Sequence, residues 1–152
     1  MSDLRIAQPG DVIAIASDHA GVEMKETLKA ELSNLGFKPL DLGTNSLDSV
    51  DYPDYGHALA KAILDKKATA GVAVCGSGIG ISIAANRHAG IRAALAHDEN
   101  TAKLSREHNN ANILALGARI VSPETAKAML KTFFATEFAG GRHAGRIAKL
   151  DQ

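Results

Sequence analysis

Short apolar runs alternate along this chain with longer stretches in which apolar side chains recur every three or four positions. Residues 12–16 form the first run, and Val22, Met24, Leu28, Leu32 and Leu35 follow at helical spacing up to Gly36. That pattern predicts strand, loop and helix. The unit recurs three times: a strand at 37–42 with a helix from 53 to 67, a strand at 71–75 with a helix from 81 to 88, and a strand at 91–96 with a helix from 99 to 107. A last strand is expected at 113–116. Ser122, Pro123 and Glu124 then mark a helix start, with Ser122 as N-cap and Pro123 in the first turn, running to Phe138.

Strands that are apolar on both faces and alternate with helices imply a parallel sheet covered on both sides, because each crossover helix must pack on one face or the other. The expected fold is therefore α/β: one Rossmann-like three-layer domain with a five-stranded parallel sheet. A length of 152 residues fits a single domain with a substantial core. From Gly140 onward the sequence Gly140, Gly141, Arg142, His143, Ala144, Gly145, Arg146 is glycine-rich and basic. Residues 139–152 are accordingly expected to form a flexible tail detached from the sheet.

Composition narrows the function. Lys plus Arg and Asp plus Glu number 17 each, so no net basic field draws the chain onto nucleic acid. Trp is absent and aromatics make up 4%, which leaves too few rings for a base-stacking platform. The first ten residues mix polar and charged positions and lack the apolar stretch of a signal peptide or membrane span. A single Cys cannot form an internal disulfide, and a cytoplasmic location is expected from it.

In open parallel sheets ligands bind beyond the carboxyl ends of the strands, where strand order reverses and loops diverge. The first strand delivers Ser17, Asp18, His19, Ala20 and Gly21 to that edge, and the third delivers Cys75, Gly76, Ser77, Gly78, Ile79 and Gly80. If these loops share a site, strands one and three are neighbours and the order 2-1-3-4-5 follows. The three glycines let backbone amides converge, and the next helix adds its positive end, so the loop suits an anion. It is neither a dinucleotide fingerprint, whose glycines follow the first strand, nor a Walker A loop, which needs Gly-Lys-Ser/Thr.

Cys75 has two readings. Free cysteines usually pack as small, inert hydrophobes. A thiol where a strand meets a helix N-terminus instead ionises more readily, and it then serves as base or nucleophile. A thiolate and a bound phosphate would repel each other within one small loop. The amides of residues 76–80 therefore fit a charge that develops during reaction, while Arg119, Arg142 and Arg146 are candidates to hold a permanent anion, their other reading being solvated surface charge. His108, at a helix end, can favour the helix dipole or act as an acid. His57, His88 and His97 read as structural. No metal-ligand spacing appears, and no metal or cofactor is expected.

Several segments together resemble the type B ribose-5-phosphate isomerases, a family that includes the galactose-6-phosphate isomerase subunits. They are residues 17–21; Asp51, Tyr52 and Pro53; residues 75–80 running into 82–86; Arg106, Glu107, His108 and Asn109; Gly117, Ala118 and Arg119; and Gly141, Arg142 and His143. The resemblance implies a cofactor-free aldose-ketose isomerase that opens a cyclic sugar phosphate and transfers a proton through a cis-enediolate. It assigns Cys75 as the proton-transferring base, His108 as the ring-opening acid/base assisted by Asp18 and Asp51, and Gly76, Ser77, Gly78, Ile79 and Gly80 as the enediolate loop. Tyr52 and Asn109 match sugar-hydroxyl contacts. His19, Arg119, Arg142 and Arg146 match phosphate contacts, the tail arginines reaching a neighbouring subunit in a two-fold homodimer. A homotetramer stays open. Members without the Cys use a Glu after the glycines, where this chain has Ile81; Ser77 replaces a common Thr.

The alternative enzyme reading is a hexose 6-phosphate isomerase acting on allose or galactose 6-phosphate, since the same residues would serve a longer sugar. A non-enzymatic alternative is a nucleotide- or flavin-binding module or a receiver domain. Receivers need an Asp ending strand three and a Lys after strand five, where this chain has Cys75 and Gly117.

Overall fold

Alternation along three buried strands builds two unlike faces on one sheet. In the computed structural model, which describes residues 4–152, these strands are β1 (Val12–Ser17), β3 (Ala70–Cys75) and β5 (Ile113–Gly117), flanked by β2 (Lys38–Asp41) and β4 (Ala93–Leu95). Residues 1–3 of the polar amino-terminal stretch lie outside the described residues. All pairings are parallel. Ile13, Ile15, Val72, Val74, Leu114 and Leu116 fill one face with large side chains, under α1 (Val22–Asn34), α4 (Glu99–Glu107) and α5 (Pro123–Ala135). Each such fully buried side chain contributes roughly 1.5–3 kcal/mol.

The other face carries Ala14, Ala16, Ala73, Cys75 and Ala115, under α2 (Tyr52–Leu64) and α3 (Ile79–Ala85). Small strand residues let these two helices sit low and close together. At their contact, a Cβ on Gly56 would stand 2.7 Å from Ala84 Cβ and 2.9 Å from the Ile81 carbonyl oxygen. Only glycine permits that approach. The close contact continues at the amino ends, where Tyr52 lies on Gly80.

The strand order is β2-β1-β3-β5-β4, which corrects the expected 2-1-3-4-5 at its last two positions. Burial explains the exchange. All five residues of β5 are buried, so it needs a strand on each side, whereas β4 is three half-buried residues long and suits an edge. The free side of β4 is occupied by the Asn86 amide, which donates to the Ala93 carbonyl at 2.9 Å and accepts the Ala93 N–H at 2.8 Å. The expectation that β1 and β3 are neighbours holds, and Ser17 registers with Val74.

The tail also departs from expectation. Its residues form a short helix, α6 (Arg142–Ile147), anchored to the domain. The Ala139 amide donates to the Glu107 carbonyl at 3.0 Å, and Asp151 accepts the Gly90 amide at 3.1 Å.

The turn after α4 is organised by Arg106, a fully buried cation. Its guanidinium donates to the carbonyls of Ala111 (2.7 Å) and Leu4 (3.1 Å) and to Asn110 Oδ1 (2.7 Å), and its carbon lies 5.8 Å from the Phe133 ring centre. Burial, with the charge of Arg92 behind it, lowers this guanidinium to about 10. Truncating it strands several acceptors at once. Arg106→Ala should cost roughly 3 kcal/mol in urea unfolding; a loss under about 1 kcal/mol would mean that those acceptors rehydrate without strain.

Candidate active site

Where β3 ends, the chain turns back over its own last residue. Gly78 caps α3 with φ +80°, in the left-handed region, and its amide donates to Cys75 Sγ at 3.1 Å. An N–H aimed at sulfur steadies negative charge there. The next amide, of Ile79, donates to Ser77 Oγ at 3.2 Å, which leaves the Ser77 hydroxyl hydrogen free to point outward. Neither the Gly78 nor the Ile79 amide is therefore directed at a ligand. Close packing fixes this turn: a Cβ on Gly117 would lie 2.6 Å from the Ser77 carbonyl, and one on Gly78 2.7 Å from the carbonyl carbon of Leu116.

Cys75 is only 3% exposed and packs among the alanines of its face, as an inert thiol would. It also borders an open cavity of about 550 Å³, within the range of small-molecule sites. Asp18, Tyr52, Gly76, Ser77, Ile79, Gly80 and Arg119 line the same cavity. Asp18 is buried there, Oδ1 accepting the Ala20 amide at 3.0 Å as the cap of a single 3₁₀ turn, His19–Gly21. Arg119 lies over Gly76. Ile79, Ile83, Ile120 and Tyr52 are roughly half exposed around the rim.

The remaining expected residues lie elsewhere. His19 sits beside the cavity, its Nδ1 accepting the Val50 amide at 3.1 Å, and Asp51 is exposed at the start of α2. His108, Asn109 and Arg146 line a separate hollow of about 270 Å³ that shares no residue with the Cys75 cavity. Arg142 is exposed on α6. Within one chain, Cys75 and His108 thus face different openings. Among the described residues, no three His, Cys, Asp or Glu side chains are grouped as a metal set would be.

Sequence patterns gave no role to His143. Its ring stacks on His108 with centroids 4.4 Å apart and planes 13° apart. Desolvation, then the nearby His108, Arg142 and Arg146, hold His143 below the ordinary imidazole value. Its place beside Arg142 in a Gly-Arg-His run was the available signal. His57 and His88, expected to be structural, pair with each other across the α2–α3 side, Nδ1 to Nε2 at 2.7 Å.

An open parallel sheet whose switch point offers a thiol, a carboxylate and a turn of amides defines a small-molecule enzyme built for proton transfer at a carbonyl compound. Comparison with known proteins narrows that class. The family model of Ribose/Galactose Isomerase matches residues 13–150, and the chain belongs to that family. Ribose-5-phosphate isomerase B of Escherichia coli is 41% identical over 135 residues, covering 89% of this chain and 91% of that one. A solved ribose 5-phosphate isomerase of Thermotoga maritima superposes with a TM-score of 0.90 at 50% identity, covering 93% and 97% of the two chains. Ribose-5-phosphate isomerase B of Clostridium thermocellum gives 0.91 at 45% identity, covering 92% and 95%.

Gly78→Ala should leave the far-ultraviolet circular dichroism unchanged and lower isomerase activity by about 10²-fold or more, because the Leu116 carbonyl forces the turn off Sγ. Activity within about threefold of the parent would show that the turn tolerates the shift.

Proposed function

We propose that this chain interconverts ribose 5-phosphate and ribulose 5-phosphate. The observation that carries the reading is the Cys75 sulfur, held by the Gly78 amide beside a cavity lined by Asp18, Ser77 and Arg119. In the open-chain aldose, Cys75 as thiolate removes the hydrogen from C2. The electron pair left behind forms the C1–C2 double bond, and O1 takes the negative charge. The amides of Gly76, Ser77 and Gly80, with the Ser77 hydroxyl, hold that enediolate oxygen. Return of the proton from Cys75 to C1, with transfer of the O2 proton to O1, gives the ketose and restores the thiolate. A positioned base contributes about 10²- to 10⁴-fold and each oxyanion donor about 10²- to 10³-fold, so thiol and loop carry comparable shares.

Ring opening needs an acid at the far end of the sugar, and His108 fits that role with Asp18 near C1. The phosphate is held by His19 and the arginines 119, 142 and 146. Because the Cys75 and His108 cavities are separate in one chain, the complete site forms between two copies, each bringing its His108 and tail to the other's Cys75. The apolar rim of Ile79, Ile83 and Ile120 supports such a homodimer. No described helix is long and apolar enough to cross a membrane, and one unpaired thiol supports a cytoplasmic enzyme.

Ketose formation measured across ribose, allose and galactose phosphates should favour ribose 5-phosphate; a clear preference for a hexose phosphate would move the assignment to the longer sugar. On the preferred substrate Cys75→Ala should lose at least about 10³-fold in turnover while binding it nearly as well. Retained turnover removes Cys75 as base. Co-expressed Cys75→Ala and Arg142→Ala chains, each weak alone, should recover up to about one quarter of parent activity, since mixed dimers hold one intact site. No recovery would count against sites shared across the dimer.

A further inference from the structure

One charged side chain occupies a position that the helix pattern reserves for an apolar one. Lys25, Leu28 and Leu32 follow one another on the buried face of α1, and Lys25 is fully buried. Its Nζ donates to Asp41 Oδ2 at 2.6 Å, to Asn45 Oδ1 at 2.8 Å and to Glu26 Oε1 at 3.2 Å. Lys29 shares Asp41 Oδ2 at 2.9 Å, and Asp41 Oδ1 accepts the Gly43 amide at 2.8 Å. Burial works against ionisation of Asp41, but the hydrogen bonds from Lys25, Lys29 and Gly43 outweigh it and keep its carboxyl below the ordinary carboxylate value. Asp41 therefore stays ionised at neutral pH.

These contacts clip down residues 42–50, which form neither helix nor strand. The segment is tied next to Ser17: the Ser17 amide donates to the Gly43 carbonyl and the Thr44 amide to the Ser17 carbonyl, both at 2.7 Å. At its far end the Val50 amide donates to His19 Nδ1. A backbone amide can only donate, so Nδ1 must carry a lone pair and the neutral ring must hold its hydrogen on Nε2. That tautomer offers one N–H to an anion.

We infer that Lys25 is a positioning residue: through Asp41 and Asn45 it holds residues 42–50 so that the Val50 amide fixes His19 as an Nε2–H donor to the substrate phosphate. The inference rests on the phosphate role given to His19 above. Stability alone does not call for the charge. A buried ion pair contributes little more than an apolar side chain of the same size, and the neighbours Leu28 and Leu32 would accept one. What Met at position 25 cannot supply is the grip on Asp41 and Asn45 together.

The test compares the parent with Lys25→Met and with Asn45→Ala, the latter at an exposed position that leaves the core untouched. For Lys25→Met the expected result is a rise in KM for ribose 5-phosphate of about tenfold with kcat within about threefold, and a parallel loss in inhibition by inorganic phosphate. Asn45→Ala should move both the same way by about two- to threefold. Imidazole ¹⁵N shifts should report a single Nε2–H tautomer for His19 in the parent and a mixture in Lys25→Met. Unchanged phosphate inhibition together with an unchanged His19 tautomer would overturn the inference. If Lys25→Met does not fold, Asn45→Ala decides, and parent-like phosphate inhibition in it counts as refutation. Should the parent itself not isomerise ribose 5-phosphate, the substrate reading fails; calorimetric titration with inorganic phosphate and the His19 spectrum still judge Lys25.

Discussion

A sulfur atom at the end of a buried strand holds negative charge only if a hydrogen-bond donor is already turned toward it. Here that donor is the Gly78 amide, 3.1 Å from Cys75 Sγ, and much of the local architecture serves to bring it there. The turn must double back within three residues, which demands the left-handed backbone at Gly78. It must also lie against β5, which works because Gly117 has no side chain to hold the Ser77 carbonyl away. Each glycine removes a specific obstruction to one hydrogen bond.

The two unlike faces of the sheet matter for the same reason. Large side chains on the α1 and α5 face provide most of the apolar burial, whereas the alanine face lets α2 and α3 approach closely enough for Tyr52 to rest on Gly80. The cavity at Cys75 opens where those two helix starts meet the strand ends. The larger apolar core thus lies on one side of the sheet and Cys75 on the other. Two buried cations then set loops that the sheet does not reach: Arg106 shapes the turn that presents His108 and Asn109, and Lys25 secures the segment that meets His19.

Periodicity made much of this legible. Residues 99–107 were expected as a helix and form one with those bounds, because Asp98 and Thr101 close a capping box at its start. The loops after β1 and β3 do meet, as the polar residues ending both apolar runs implied. The order of β4 and β5 was not legible, since pairing depends on how completely each strand is covered, and both read as short apolar runs. Helix ends also drifted: α3 begins at Ile79, two residues early, because the glycine turn itself supplies its cap. The tail composition suggested flexibility, yet a ring stack on His108 and one carboxylate contact at Gly90 anchor it. Lys25 shows a different limit. It was not singled out from the sequence, because the partners that make it matter lie 16 and 20 residues away.

The most direct measurement is a structure of the protein bound to a phosphorylated hydroxamate that imitates the enediolate. The account predicts Cys75 Sγ within about 3.5 Å of the carbon standing for C2, the hydroxamate oxygens on the amides of Gly76, Ser77 and Gly80, and His108 supplied by the second copy. An analogue lodged away from Cys75, or bound there with the sulfur turned into the alanine face and the amides unengaged, would contradict it.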